Sequence, residues 1–424
     1  MRRIVSVMHD RDLYAQILGI AKPWMVSEVV LSLADRQVNV FVEPTSDANF
    51  LCSACGKPCP GYDARVRRWR HLDTCQYQTI LIAQVPRISC SEHGVQQVMV
   101  PWGEPNSRFT GLFEALAINW LKQASIAAVA GLMDLTWAEV DGIMKRAVAR
   151  GLSRRGTQTP TAIGVDETSF QKRHEYVTVV VNLQENKVLH VADDRKATSL
   201  SAFYETLPPK QREKVEVVTM DMHEPYVKAT KEAIPEAEKK IAFDRFHVAK
   251  HLGDAVDKVR REEHAALMAE GDPTLKGTKH VWLTAEENLD NPVMRGMFDA
   301  LKEAELKTGR AYAIKETARG LWGFVSRGWA EKAWKRWIGW AMRSRLEPIK
   351  KAARTVREHL WGIINAIVLR ATNAATESMN ARIQKIKSMA CGFRSRERFR
   401  NAIYFHLGGL DLYPASAHLT HTNN

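Results

Sequence analysis

The chain has 424 residues, 45% of them hydrophobic, which is enough for several packed domains and sizeable cores. Lysine and arginine number 61 against 48 acids, and the net charge of +13 points to a polyanionic partner, nucleic acid first, with simple solubility as the plainer reading. No apolar run approaches the ~18 residues of a membrane span, so no membrane role is expected.

The opening stretch, MRRIVSVMHDRDLYAQIL, carries acids inside its apolar run and does not read as a secretory leader. A cytoplasmic protein with reduced thiols is therefore expected. Residues 1–50 predict a short helix and then strands, because MVSEVVLSLADRQVNVFVEP alternates around an Asp-Arg-Gln turn.

Five of the six cysteines fall between Cys52 and Cys90, in a Gly- and Pro-punctuated stretch. Cys52 and Cys55 form one C-x2-C knuckle, and Cys90 and His93 form a C-x2-H knuckle 34 residues later. Four such ligands suit a closed structural Zn²⁺ site, and Gly56 and Gly94 permit the tight turn after each pair. Cys59 and Cys75 compete by position, and reduced buried cysteines are the bland alternative. Between the knuckles, RVRRWRHL (65–72) reads either as a phosphate-contacting patch or as an exposed arginine face.

Residues 125–151 carry the apolar skeleton of a helix-turn-helix: Val129, Ala130 and Leu132, a break at Asp134-Leu135-Thr136, then Val140, Ile143 and Met144. Thr136 and Glu139 predict a capping box for a second helix starting at Trp137 and carrying Lys145, Arg146 and Arg150 toward its end. An ordinary helical hairpin shares this skeleton. GLSRRGTQTPT (151–161) reads as a linker.

A strand-rich block follows, with strands expected at 162–166, 175–183, 187–194, 215–221 and 239–244. The first three are joined by short turns and predict an antiparallel meander; the last two each follow a helical stretch, as in crossovers. Three of these strands end on acids: Asp166, Asp221 and Asp244. Strands ending at one edge of a mixed sheet bring such carboxylates together, where they repel unless a hard divalent cation such as Mg²⁺ joins them. Helix capping is the alternative for each, Asp244 above all. His247 stands three residues after Asp244, on the same face of the next helix. Residues 246–390 read as almost wholly helical, and Trp334, Trp337 and Trp340 at three-residue spacing are expected to pack this section. Nine cations against one acid in 332–357, and seven against one in 379–400, suit a DNA path. In 371–393, Met379, Ile383, Ile386 and Ala390 form a core stripe, while Glu377, Asn380, Gln384 and Lys387 share a polar face that spacing alone leaves as either solvated or functional.

IGVDETSF, TMDMHEPY, FDRFHVAKHL and ATESMNARIQKIKSMACGFRSRERFRNAIYFHLGG, with RRWRHLDTC and VPRISCSEHG upstream, resemble the ISL-three family of bacterial insertion-sequence transposases over nearly the whole chain. The resemblance implies an α/β, RNase H-like mixed five-stranded sheet interrupted by a helical insertion and preceded by zinc-binding and helix-turn-helix domains. It implies Asp166, Asp221 and Glu377 as a triad holding Mg²⁺ or Mn²⁺, a zinc-binding N-terminal region, and a D-x2-H signature at Asp244 and His247. The corresponding plan is an N-terminal α/β segment at 1–50, zinc-binding domain at 51–105, helix-turn-helix domain at 106–152, catalytic core at 160–250 and 366–412, insertion at 251–365 and tail at 413–424. The expected function is binding of terminal inverted repeats with metal-dependent strand cleavage and strand transfer into target DNA, by a homodimer or higher oligomer close to the bacterial nucleoid. A catalytically silent DNA-binding regulator and an RNase H-like host nuclease are the rival readings.

Overall fold

A computed structural model describes residues 8–171, 175–371 and 374–417. The last seven positions of the expected tail lie outside the described residues. The chain divides into two compact units, one comprising Met1–Arg155 with Tyr404–Asn424 and the other Gly156–Ile403.

The first unit opens with α1 (Asp10–Ile17), β1 (Trp24–Ser32) and β2 (Gln37–Pro44), followed by two long strands, β3 (Gly61–Thr74) and β4 (Tyr77–Cys90), and the short β5 (Gly94–Gln97). They form one sheet in the order β1-β2-β4-β3, with β5 paired to the far half of β4. The expected strand pair of 1–50 therefore does not stand apart. β2 runs parallel to β4, with Val38 opposite Thr79 and Val40 opposite Leu81, and both strands feed one core. Alternation makes that core: Val38, Val40 and Val42 of β2 and Leu81, Ala83 and Val85 of β4 are buried at every second position. Trp102 packs edge-on against Trp24 and Trp69 at 5.0 and 5.5 Å between ring centroids.

Three helices complete this unit: α2 (Gly111–Leu121), α3 (Ile126–Met133) and α4 (Trp137–Arg154). Asp134 turns the chain between α3 and α4 in the left-handed region at φ 52°, and the Thr136–Glu139 capping box forms as its spacing predicts. Arg146 and Arg150 do not stay on a free basic face. Both turn inward to Glu114 of α2, whose side chain is 1% exposed, and Arg150 also reaches Glu104 and the Leu412 carbonyl. A buried carboxylate demands such partners, so the network fixes α4 against α2 and the returning C-terminal segment.

The second unit holds β6 (Ala162–Gln171), β7 (Glu175–Asn182), β8 (Lys187–Ala192), α5 (Ala197–Glu205), α6 (Pro209–Glu213), β9 (Val217–Met220), α7 (Glu224–Ala233), α8 (Ala237–Lys240) and β10 (Ile241–Phe243). The sheet order is β10-β9-β6-β7-β8. β6, β7 and β8 form the antiparallel meander, while β9 and β10 lie parallel to β6 after helical crossovers. Numbered within the sheet this is the order 3-2-1-4-5, the RNase H-like arrangement. The helical section runs from α9 (Arg245–Ala269) through α10 (Lys279–Leu283), α11 (Pro292–Lys302), α12 (Lys307–Gly320), α13 (Arg327–Met342), α14 (Glu347–Glu358) and α15 (Leu360–Val368). Trp334 and Trp337 are buried there as expected, but Trp340 is 38% exposed and does not join the core. The chain returns to the sheet with α16 (Ala374–Met389) and leaves through α17 (Arg396–Leu407).

Candidate active site and metal centre

β6 does not stop at Asp166. It continues to Gln171 because β7 keeps pairing with it, Asp166 opposite Val179 and Thr168 opposite Val177. On the other side the parallel partner β9 pairs only as far as Gly164 opposite Thr219, so Asp166 and Asp221 emerge side by side where that ladder ends. The expectation of a strand end is thus met on one edge of β6 and corrected on the other. Burial lifts the Asp166 carboxyl to about 6, against the Glu167 backbone N–H and His247, and the charges of Asp221 and Asp244 push the same way as burial. This is a desolvated group of hard oxygen donors short of positive charge, the donor set that fits a divalent metal ion.

Asp244 is buried and is the N-cap of α9, its Oδ1 accepting from Phe246 N at 2.9 Å. Its Oδ2 lies 2.9 Å from His247 Nδ1. Capping and the Asp–His pair are therefore both present. The Asp244 contact raises the His247 pKa, as do Asp221 and Asp166, which places the imidazole at the carboxylate cluster. With the Asp244 carboxylate accepting from Nδ1–H, Nε2 is the nitrogen left for another partner.

The polar face of α16 docks on β6 and is not merely solvated. Asn380 Nδ2 donates to Asp166 Oδ2 at 2.7 Å, Gln384 Nε2 to Thr168 Oγ1 at 3.0 Å, and Lys387 Nζ to the Ser169 carbonyl at 2.9 Å. Met379, Ile383 and Ile386 bury the neighbouring stripe. Glu377 stands in the first turn of α16, exposed, one turn before Asn380 on the same face. Asn380 was legible in the sequence only as one of several polar positions; an amide three residues after the candidate acid was the available signal.

Gly164 makes this approach possible. A Cβ there would lie 2.5 Å from Thr376 Oγ1 and 2.7 Å from Leu183 Cδ2. Gly164→Ala is expected to push α16 off β6, costing about 1–3 kcal/mol by overpacking. A displacement of ~1 Å at reacting groups can cost ~100-fold in rate, so cleavage should fall by ~10-fold or more with every acid intact. Thermal melting and single-turnover cleavage check this, and a wild-type rate would show that the helix position does not matter.

Glu167 takes the opposite face of β6, as alternation requires. Its Oε1 pairs with Arg195 Nε at 2.8 Å, and nearby the Tyr226 hydroxyl lies 2.6 Å from Thr178 Oγ1. The two adjacent acids of the IGVDETSF motif thus face different sides of the sheet.

In the first unit, Cys52, Cys55, Cys90 and His93 bring one ligand atom each to within 4.8 Å of one another. Among the described residues this is the group of three or more Cys, His, Asp or Glu that closes so tightly; Asp166, Asp221 and Glu377 do not form a second. Cys55 and Cys90 sulfurs are 3.8 Å apart, and His93 Nδ1 is 3.7 and 3.6 Å from the sulfurs of Cys52 and Cys90. A tetrahedral site with metal–sulfur bonds of about 2.3 Å has edges of about 3.8 Å, so the residues fit Zn²⁺. Gly56 and Gly94 adopt φ +70° and +68°, the turns that carry the knuckles back onto the site. Neither Cys59 nor Cys75 belongs to the set; the Cys59 sulfur is 3.4 Å from the Lys57 carbonyl, and Cys75 is exposed at the β3–β4 turn.

Comparison with known proteins agrees with this layout. A family model described as a transposase matches residues 163–403, one described as the zinc-finger of transposases IS204/IS1001/IS1096/IS1165 matches 48–93, and one described as the helix-turn-helix domain of transposase family ISL3 matches 98–148. The transposase for insertion sequence element IS1001 of Bordetella parapertussis is 26% identical over 369 residues, covering 86% of this chain and 90% of its own length. The transposase for insertion sequence element IS1557 of Mycobacterium tuberculosis is 27% identical over 420 residues, covering 92% and 93%. The zinc-finger, helix-turn-helix and catalytic matches follow one another in the order of the structure, and the last spans more than half of the sequence: the chain belongs to the ISL3 family of transposases, enzymes that cleave and transfer DNA strands.

Proposed function

We propose that this transposase binds the terminal inverted repeats of its own insertion sequence and cuts and joins their 3′ ends at a site built from Asp166, Asp221 and Glu377. The observation that carries the reading is the emergence of Asp166 and Asp221 side by side at the end of the β6–β9 ladder, with the Glu377 helix hydrogen-bonded onto Asp166. These three carboxylates would hold Mg²⁺ or Mn²⁺, which when bound would activate the attacking oxygen and stabilise the departing one. Asp166 lies on β6 and Asp221 directly follows β9, while α16, docked on β6 through Asn380, Gln384 and Lys387, carries Glu377. Asp244 holds His247 in orientation, leaving Nε2 toward a carboxylate or the scissile phosphate. Zn²⁺ at Cys52, Cys55, Cys90 and His93 shapes the first unit, whose α3–α4 pair reads the repeat. Two ends must be processed together, which a homodimer or higher assembly on DNA provides, in the bacterial cytoplasm at the nucleoid.

The test is incubation of a duplex carrying the flanking inverted repeat, with target plasmid, in EDTA, Mg²⁺ and Mn²⁺. Metal-dependent cleavage followed by 3′-end joining is the expected result. Binding without cleavage would favour a silent regulator, and cutting without joining would favour a host nuclease. In the same assay His247→Ala is expected to lower cleavage and joining by about 10- to 100-fold, the usual loss when a group orienting a metal site is removed. A wild-type rate between pH 6 and 8 would make the Asp244–His247 pair structural.

A further inference from the structure

We infer that Asn380 is a positioning residue for Asp166, setting the carboxylate's orientation for the metal and tying the Glu377 helix to the same atom. This rests on the reading of Asp166 as a metal-binding acid. Among the described residues, the Asp166 carboxylate accepts from two donors: the Glu167 backbone N–H on Oδ1 at 2.7 Å and the Asn380 side chain on Oδ2 at 2.7 Å. Each oxygen keeps one lone-pair direction, so the carboxylate is aimed without being used up. One donor is fixed by the strand; the other is the only side chain of α16 bonded to a proposed acid among the described contacts.

The chemistry of the donor matters. A lysine or arginine at this place would neutralise Asp166 and compete with a cation, whereas a neutral amide restrains the oxygen and leaves its charge available. Position matters equally. Asn380 and Glu377 are one helical turn apart on the same face, so the bond that orients Asp166 also fixes how far Glu377 stands from it. Gln384 and Lys387 continue the docking along β6 but bond to Thr168 and to the Ser169 carbonyl, neither of which is an acid of the site. Docking and aiming are therefore separable by residue.

The test compares full-length, zinc-replete wild type with Asn380→Ala, Gln384→Ala and Asp166→Asn. Mn²⁺ binding is read by titration calorimetry and cleavage is read across Mn²⁺ concentrations. Asn380→Ala is expected to weaken Mn²⁺ binding by about 10- to 100-fold, as loss of a hydrogen bond to a ligating carboxylate does, and high Mn²⁺ should recover much of the cleavage. Gln384→Ala, which loosens the same helix without touching Asp166, should keep the wild-type affinity for Mn²⁺. Equal loss in the two variants, or wild-type affinity in Asn380→Ala, would overturn the assignment. If wild type and Asp166→Asn bind Mn²⁺ alike, it is the metal-site reading itself that fails.

Discussion

Asp166→Asn protein is expected to bind element-end DNA with nearly wild-type affinity and to cleave it at least ~1,000-fold more slowly, a loss of ~4 kcal/mol of transition-state stabilisation. Asp221→Asn and Glu377→Gln should behave alike. The substitution keeps shape and removes charge at the centre of a cluster in which Asp166 is half-buried and feels the charges of Asp221 and Asp244. For the same reason the metal-free Asp166→Asn protein should melt no lower than wild type, because relief of like-charge repulsion from Asp221 and Asp244 offsets the loss of one acceptor oxygen. Roughly 1 kcal/mol of relief corresponds to a rise of about 2–4 °C for a unit of this size. Inactivity with undiminished stability separates a chemical role from a structural one. Cleavage near the wild-type rate by any one of the three variants would remove that residue from the site.

What was legible in the sequence was local. The Thr136–Glu139 capping box forms because both partners lie within one turn, and the β6–β7–β8 meander follows from short turns that composition marks plainly, whereas the pairing of β9 with β6 was implied only by the family resemblance. The docking of α16 was not legible. Glu377, Asn380, Gln384 and Lys387 form a polar stripe in either case, and only the approach of β6 past Gly164 makes three of them hydrogen-bonding partners. The β3–β4 ribbon escaped for a related reason. Tyr62, Ala64 and Val66 alternate with Asp63, Arg65 and Arg67 yet stay exposed on an edge strand, so the pattern marks no core face until Trp69 and His71 turn inward. Arg146 and Arg150 mislead in the opposite direction. They read as a basic helix end, yet Glu114, 32 and 36 residues earlier, draws them inward. The docking of α16 and the inward turn of Arg146 and Arg150 both depend on long-range partners that spacing cannot show.

Removal of zinc is the second large effect expected, and it should fall on the first unit. Cys52 and Cys90 are 2% and 4% exposed and belong to the same core as Trp24, Trp69 and Trp102. Cys90 closes β4, Gly94 opens β5, and Cys52 and Cys55 lie on the loop before β3, so the ligands clasp the end of the sheet that β5 edges. Structural zinc contributes roughly 10–16 kcal/mol in small zinc-binding folds at neutral pH, far more than any single packing contact here. Wild-type protein should carry about one zinc per chain, as a closed four-ligand site requires. Cys52→Ser should lose that zinc and the binding of element ends, while the second unit, with its own core, keeps its melting transition. Cys59→Ser is the decisive control, because that thiol lies beside the ligands and is not one of them. It should keep the metal and bind DNA as wild type does. Full zinc content in Cys52→Ser, or its loss in Cys59→Ser, would reassign the ligands, and elemental analysis with a DNA-binding titration on the same preparations decides between them.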